Sequence, residues 1–234
     1  MISFARFWVV DHPGIMTSLI VLGFAVFLLL KTWNETRAQV NSRGVNGSSD
    51  TPKYSSKADV ENNDFGATIV HHGFEFNVNR DALSKRRNIS QILEEADSVW
   101  ALWNTGQDAW RRHLLRNPKI KRLILPDPHS DAIQLLASGR GRQHHELMTE
   151  ITFTTNEAKA GGIPIKWFFG LIGNTMTFVN PESGHGWVQV EVVFAPMESQ
   201  TCPSFRIDQD GPYRALYDAL MDVYNKTWDA STLQ

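Results

Sequence analysis

Residues Gly162–Phe194, GIPIKWFFGLIGNTMTFVNPESGHGWVQVEVVF, hold the densest run of strand-forming residues in the chain. From Trp187 onward Val188, Val190, Val192 and Phe194 alternate with Gln189, Glu191 and Val193, so one face is apolar and the other mixed. Upstream, Ile163, Ile165 and Trp167 alternate with Pro164, Lys166 and Phe168, and Thr175–Val179 is a β-branched and aromatic run. The turn-forming cluster NPESGHG separates the last two strands. The pattern predicts a strand, a short connection and a hairpin at the heart of one sheet. Pattern alone leaves a pair of strands in any mixed fold as the plainer account.

The segments before and after supply the partners such a sheet needs. Ala67–Val70, the HHG turn and the alternating Phe74, Phe76 and Val78 predict a hairpin. Asp81–Asp97 reads as helix, broken near Asn88, where N-x-x-Q resembles a capping box. SVWALW reads as a buried strand, and Thr105 with Asp108 opens a helix that Asn117-Pro118 stops. Ile120–Leu125 is the next strand, followed by helices over Asp131–Ser138 and Gln143–Ala160. The second of these contains Ile151–Thr155, a β-branched stretch that an extended segment would suit as well. A short strand at Ser204–Ile207 precedes a final helix with Pro212 in its first turn and Tyr213, Leu216, Leu220, Val223 and Trp228 at helical spacing. This alternation belongs to an α/β domain.

The amino terminus has a different character. Ile15–Leu30, IMTSLIVLGFAVFLLL, is uncharged, and the uncharged run reaches back to Pro13. Lys31 ends it, and Trp8 and Trp33 bracket it at interface positions. The region lacks the basic start and small-residue cleavage site of a secretory signal, so it is expected to remain as a single transmembrane anchor, residues 1–33 with the span at about 13–31. Lys31, Arg37 and Arg43 follow the span, against Arg6 before it, which places the C-terminal domain in the cytoplasm. Sequons at Asn34, Asn46, Asn88 and Asn225 are little above chance for this composition. Residues 34–64 read as a flexible polar linker, 65–88 as an N-terminal extension, and 89–232 as the α/β domain.

Composition narrows function by exclusion. A net charge of −2 argues against a dedicated nucleic-acid binder, and a single cysteine, Cys202, excludes an intrachain disulfide and a cysteine-based metal site. Between Arg80 and His145 there are 12 Lys and Arg against 7 Asp and Glu, and from Glu146 to Gln234 there are 5 against 11. A solvated surface explains that bias most simply. The sharper reading is an anionic lipid surface met by Lys85, Arg86, Arg87, Arg111, Arg112, Lys119, Lys121 and Arg122.

Four stretches, ILEEADSVWALWNTG, KIKRLILPDPHSDAIQLL, EAKAGGIPIKWFFGLIGNTMTFV and CPSFRIDQDGPYRALYDALMDVYNKTW, resemble one half of the phospholipase D superfamily, closest to its single-copy bacterial members. The resemblance covers about Ile89–Trp228 and rests on element order with diffuse patterns. It implies an α/β/α sandwich with a mixed central sheet, commonly paired with a second half, here a homodimer. The chemistry of that family uses H-x-K-x4-D, with one His as nucleophile, the partner half's His as general acid and the Lys on phosphate charge. No H-x-K occurs anywhere in this chain. The motif positions are expected to fall on Trp167, Phe169 and Asn174, two aromatics and an amide, and the downstream G-S-x-N is also missing. The resemblance therefore implies a degenerate member without catalytic residues, cofactor or metal, acting as a membrane-held sensing, scaffolding or regulatory module.

Other residues offer weaker chemistry. His144 and His145 beside Glu146 would point about 100° apart on a helix and share no ion readily. His71 and His72 read as a hairpin turn, Asp127 and Asp131 as helix caps, and Trp100, Trp103 and Trp110 as core. His185, in a glycine-flanked turn, is the nucleophile an alternative membrane-anchored phosphodiesterase would use, with Lys166 and Glu191 near it only under one strand pairing. A third reading is an unrelated α/β accessory protein.

Overall fold

The computed structural model describes residues 59–63, 66–77, 88–193 and 202–234. Ten strands form one mixed sheet: β1 (Asp59–Asn63), β2 (Gly66–His71), β3 (Phe74–Asn77), β4 (Val99–Leu102), β5 (Ile120–Pro126), β6 (Ile165–Phe168), β7 (Asn174–Val179), β8 (Trp187–Val192), β9 (Ser204–Asp208) and β10 (Thr232–Leu233). The helices are α1 (Ile89–Glu95), α2 (Gln107–Arg111), α3 (Asp131–Gly139), α4 (His144–Ala160) and α5 (Arg214–Ala230), with a 3₁₀ turn at Leu114–Arg116. Across the sheet the order is β1-β2-β3-β9-β8-β7-β4-β5-β6-β10. Strands β4, β5 and β6 run parallel, and β7 meets β4 antiparallel. Parallel neighbours need crossovers, and α2 with the 3₁₀ turn, then α3 with α4, supply them.

Register assigns the two faces. Ala101 pairs with Leu123 on one side and Thr177 on the other, and Leu123 pairs with Ile165. With Val99, Leu125 and Val179 these residues make a buried floor under Ile92 and Leu93 of α1, Ile133 and Leu136 of α3, and Leu147, Ile151 and Ala158 of α4. The alternate residues point the other way. Trp100, Ile124, Met176, Phe178, Val188, Val190, Phe205 and Ile207 are buried there, and Tyr217, Leu220 and Tyr224 of α5 are buried with them. Tyr224 stacks on Trp100 at 5.8 Å, and Phe178 meets Tyr217 and Tyr224 edge-on at 5.8 and 5.3 Å. Each such large side chain contributes about 1.5–3 kcal/mol by leaving water, so the sheet has a core on each face.

Local chemistry fixes several boundaries. Asn88 closes the expected capping box: its Oδ1 accepts from Gln91 N at 3.1 Å, and Gln91 Oε1 accepts from Asn88 N at 3.0 Å. Ile151–Thr155 is helical, as part of α4. Its threonines are satisfied within the helical fold: Thr154 Oγ1 donates across to Thr105 O at 2.6 Å, and Thr155 Oγ1 donates one turn back to Ile151 O at 2.8 Å while accepting from Trp167 Nε1 at 3.0 Å. The helix expected from Thr105 to Asn117 instead breaks after Arg111, because His113 adopts a left-handed φ of 57° before the 3₁₀ turn.

One expectation needs correction. Asp59–Asn63, at the end of the stretch read as linker, forms β1; its sequence DVENN is too polar to announce a strand. The expected hairpin forms as β2–β3, within the segment read as an N-terminal extension of the domain, and joins the sheet where Phe74–Asn77 pairs with Ser204–Ile207 of β9. Among the described residues no helix is long and apolar enough to cross a membrane, and Ile15–Leu30 lies outside them.

Candidate functional site

In open α/β sheets ligands gather beyond the carboxyl ends of the parallel strands. Here that edge is built by Trp103–Gly106 after β4, Asp127–Ser130 after β5 and Phe169–Gly173 between β6 and β7. The loops are tied together. Asp127 N donates to Phe168 O at 2.8 Å, Asp127 Oδ1 accepts from His129 N at 2.9 Å, and Ser130 Oγ donates to Asp127 O at 2.9 Å. Asp127 thus shapes the turn before α3 without capping it: Ser130 holds the N-cap position and Asp131 is the first helical residue, so the capping expected of Asp127 and Asp131 is not formed.

The three expected motif positions do not converge. Trp167 shares the face of Ile165 and packs against the core under α4; its Nε1 donates to Thr155 Oγ1 at 3.0 Å, and His129 meets its ring edge-on at 5.9 Å. Phe169 lies past the end of β6, 67% exposed, tilted against Phe168 at 5.3 Å. Asn174 opens β7 on the opposite face, with Met176 and Phe178. It is only 5% exposed, and its Oδ1 has no hydrogen-bond partner.

A polar group at the same edge was not anticipated. The buried Asn104, in the orientation that satisfies both ends of its amide, donates to Ile172 O at 3.2 Å and accepts from Arg140 Nη2 at 2.8 Å. Beside it Arg142 grips Glu150 with two bonds of 3.0 and 2.8 Å, and Gln107 Nε2 donates to Glu150 Oε1 at 2.6 Å. The Glu150 hydrogen bonds raise the Arg142 pKa above its ordinary value. No motif carries this group. Its residues come from the end of a buried strand run, a helix end and a helix interior, and only the fold brings them together.

The basic residues differ in how they are held. Arg111 and Arg112 are exposed at the end of α2, and Lys121 is exposed at the start of β5. Lys119 Nζ donates to Glu94 O at 2.9 Å. The Arg122 guanidinium lies 3.8 Å over the Trp100 ring and 5.4 Å from that of Trp228, on the α5 face. Lys85, Arg86 and Arg87 lie outside the described residues.

The histidines are dispersed. His144 and His145 are exposed in the first turn of α4, with Glu146 drawn to Arg142 at 3.5 Å. His72 lies in the β2–β3 turn as expected, whereas His71 ends β2 opposite Phe74, its Nδ1 2.9 Å from Tyr213 Oη. His185 sits between β7 and β8, at the sheet edge opposite the carboxyl ends of β4–β6. The conditional grouping with Lys166 and Glu191 is not formed: Lys166 Nζ donates to Trp228 O at 2.7 Å, and Glu191 lies at the far end of β8, accepting from Thr175 Oγ1 at 3.1 Å. The neighbour of His185 is Asp210, its Oδ2 3.0 Å from Nδ1. Among the described residues no three His, Cys, Asp or Glu side chains could hold a metal ion.

No protein-family model matches the chain, and no curated protein matches it. Among solved structures it is similar to a phospholipase D family member, Nuc from Salmonella typhimurium, at 11% identity and a TM-score of 0.42, over 70% of this chain and 96% of that one.

Proposed function

We propose that the chain is a membrane-anchored, non-catalytic module of phospholipase D-like type, which senses or scaffolds at the cytoplasmic membrane face and pairs with a second copy. The single observation that carries this reading is the fate of the motif positions. Trp167 is hydrogen-bonded into the α4 core, Phe169 is a solvent-facing aromatic, and Asn174 lies on the other face of the sheet. None is a nucleophile, a cation or a carboxylate, and the chain contains no H-x-K in any register. The uncharged run at Ile15–Leu30 supports the anchor, and the exposed Arg111, Arg112 and Lys121 support contact with anionic headgroups at no more than about 1 kcal/mol each.

The test is phosphodiesterase activity of the full chain in detergent micelles, with a chromogenic diester, short DNA and phospholipid as substrates. The expected result is no turnover by folded protein, together with salt-sensitive binding to anionic vesicles. One geometric feature favours the second reading, an enzyme: His185 is backed by a carboxylate at 3.0 Å. Turnover that disappears in His185→Ala would establish that reading and overturn the first.

A further inference from the structure

Arg122 and Trp100 are direct partners across β5 and β4, and the last turn of α5 brings Trp228 to the same side of the sheet. The Arg122 guanidinium is partly buried against both indoles, 3.8 Å from the Trp100 ring centroid and 5.4 Å from that of Trp228. Trp100 is itself held by Tyr224, stacked on it at 5.8 Å. Lys166, on the next strand, brings a second cation to Trp228: its Nζ lies 4.7 Å from the ring centroid and donates to Trp228 O at 2.7 Å. Contacts with aromatic faces fix where a cation sits without using up its N–H donors. Among the described residues no oxygen takes a hydrogen bond from Arg122, and no carboxylate is in ion-pair contact with Arg122 or Lys166. Arg142 and Arg206, partly buried likewise, each hold a carboxylate at 2.8 Å.

We propose that Arg122 and Lys166 form a carboxylate-binding site, the acid taking the N–H fork of Arg122 within the field of the Lys166 ammonium. A guanidinium presents paired donors that match the two oxygens of a carboxylate. Its contacts with Trp100 and Trp228 have already restricted its rotamers, so binding forfeits little side-chain entropy. Charge sets the class of anion. Helix α5 ends at Ala230, next to Trp228, with the negative end of its dipole, and the exposed Asp229 adds a further negative charge there. Two cations offset in this way favour a monoanion and disfavour a phosphate dianion. A free organic acid and an acidic side chain of a partner protein present the same group to the site. The assignment goes beyond the proposed membrane role, because it separates Arg122 from the exposed Arg111, Arg112 and Lys121, and it stands whether or not the chain is anchored.

The experiment uses the full-length protein in detergent, titrated at fixed ionic strength with glutarate, a short oligoglutamate peptide or inorganic phosphate, and read by calorimetry. At least one carboxylate probe is expected to bind, and phosphate to bind about tenfold more weakly. Tighter binding of glutarate assigns the site to a free acid, and tighter binding of the peptide to an acidic segment. Arg122→Lys keeps the charge but loses the fork, and is expected to weaken carboxylate binding about tenfold. Lys166→Gln leaves the Trp100 stack in place, is expected to weaken binding about threefold, and keeps the test decisive should Arg122→Lys fail to fold. Lys121→Gln, a loss of charge on the same strand away from the two indoles, is expected to change nothing. No binding of either carboxylate probe, phosphate binding as tight as theirs, unchanged affinity in folded Arg122→Lys or in Lys166→Gln, or equal weakening by Lys121→Gln overturns the proposal.

Discussion

Tyr217 and Tyr224 lie in the α5 core with hydroxyls that meet no partner. A buried hydroxyl without a hydrogen bond costs more than it returns, so Tyr224→Phe is expected to leave stability unchanged or raise it by up to about 1 kcal/mol in urea titrations. Burial also raises both phenol pKa values, that of Tyr217 to about 12 and that of Tyr224 further. The unfolded chain releases these protons from about pH 10, while the folded chain holds them. Stability from this source is therefore full below pH 10 and falls as pH rises from 10 toward 12, by at most about 1.4 kcal/mol per pH unit for each tyrosine. Melting temperatures between pH 8 and 12 should show this fall, and Tyr217→Phe should flatten it. Gly186 makes a separate prediction. A Cβ there would lie 2.4 Å from Asn180 O and 2.5 Å from Val179 O, both backbone atoms that cannot swing aside. Gly186→Ala should cost about 1–3 kcal/mol in the same titration.

At the scale of the element, α1 depends on the reciprocal bonds between Asn88 and Gln91. Asn88→Ala should cost about 1 kcal/mol, measured by urea denaturation, with hydrogen exchange at Ile92 and Leu93 rising before that of β4. That cap was legible in the sequence because its two partners are three residues apart. So were β7 and β8, since alternation is a local property and Val188, Val190 and Val192 display it. The broken helix at His113 was not legible, because nothing in RRHLLRNP marks a left-handed residue. Nor was β1, whose polar residues take strand form beside β2 at the sheet margin. The candidate site was the least legible. Placing Trp167 and Asn174 together needed the register of β7 on β4, which puts them on opposite faces. Asn104 and Arg140 meet only because α3 ends where β4 does.

At the scale of the molecule, the sheet is assembled from segments far apart in the chain. Phe74 of β3 pairs with Ile207 of β9, a separation of 207 − 74 = 133 residues. The β2–β3 hairpin is thus made early in synthesis and receives its neighbour only after β4 to β8 and the intervening helices have been made. Closing such a long loop before any contact repays it slows folding, and until then the β3 edge is an open template for a wrong strand. Contacts at this seam should form late. Phe76→Leu is expected to speed unfolding with little change in the folding rate, as read from the two limbs of a stopped-flow urea chevron. An equal loss on the folding limb would place the seam in the nucleus instead. The pairing that completes the sheet is then also its first to open: the hairpin would peel from β9 while β4 to β8 stay closed, leaving Ser204–Asp208 bare to any extended chain nearby.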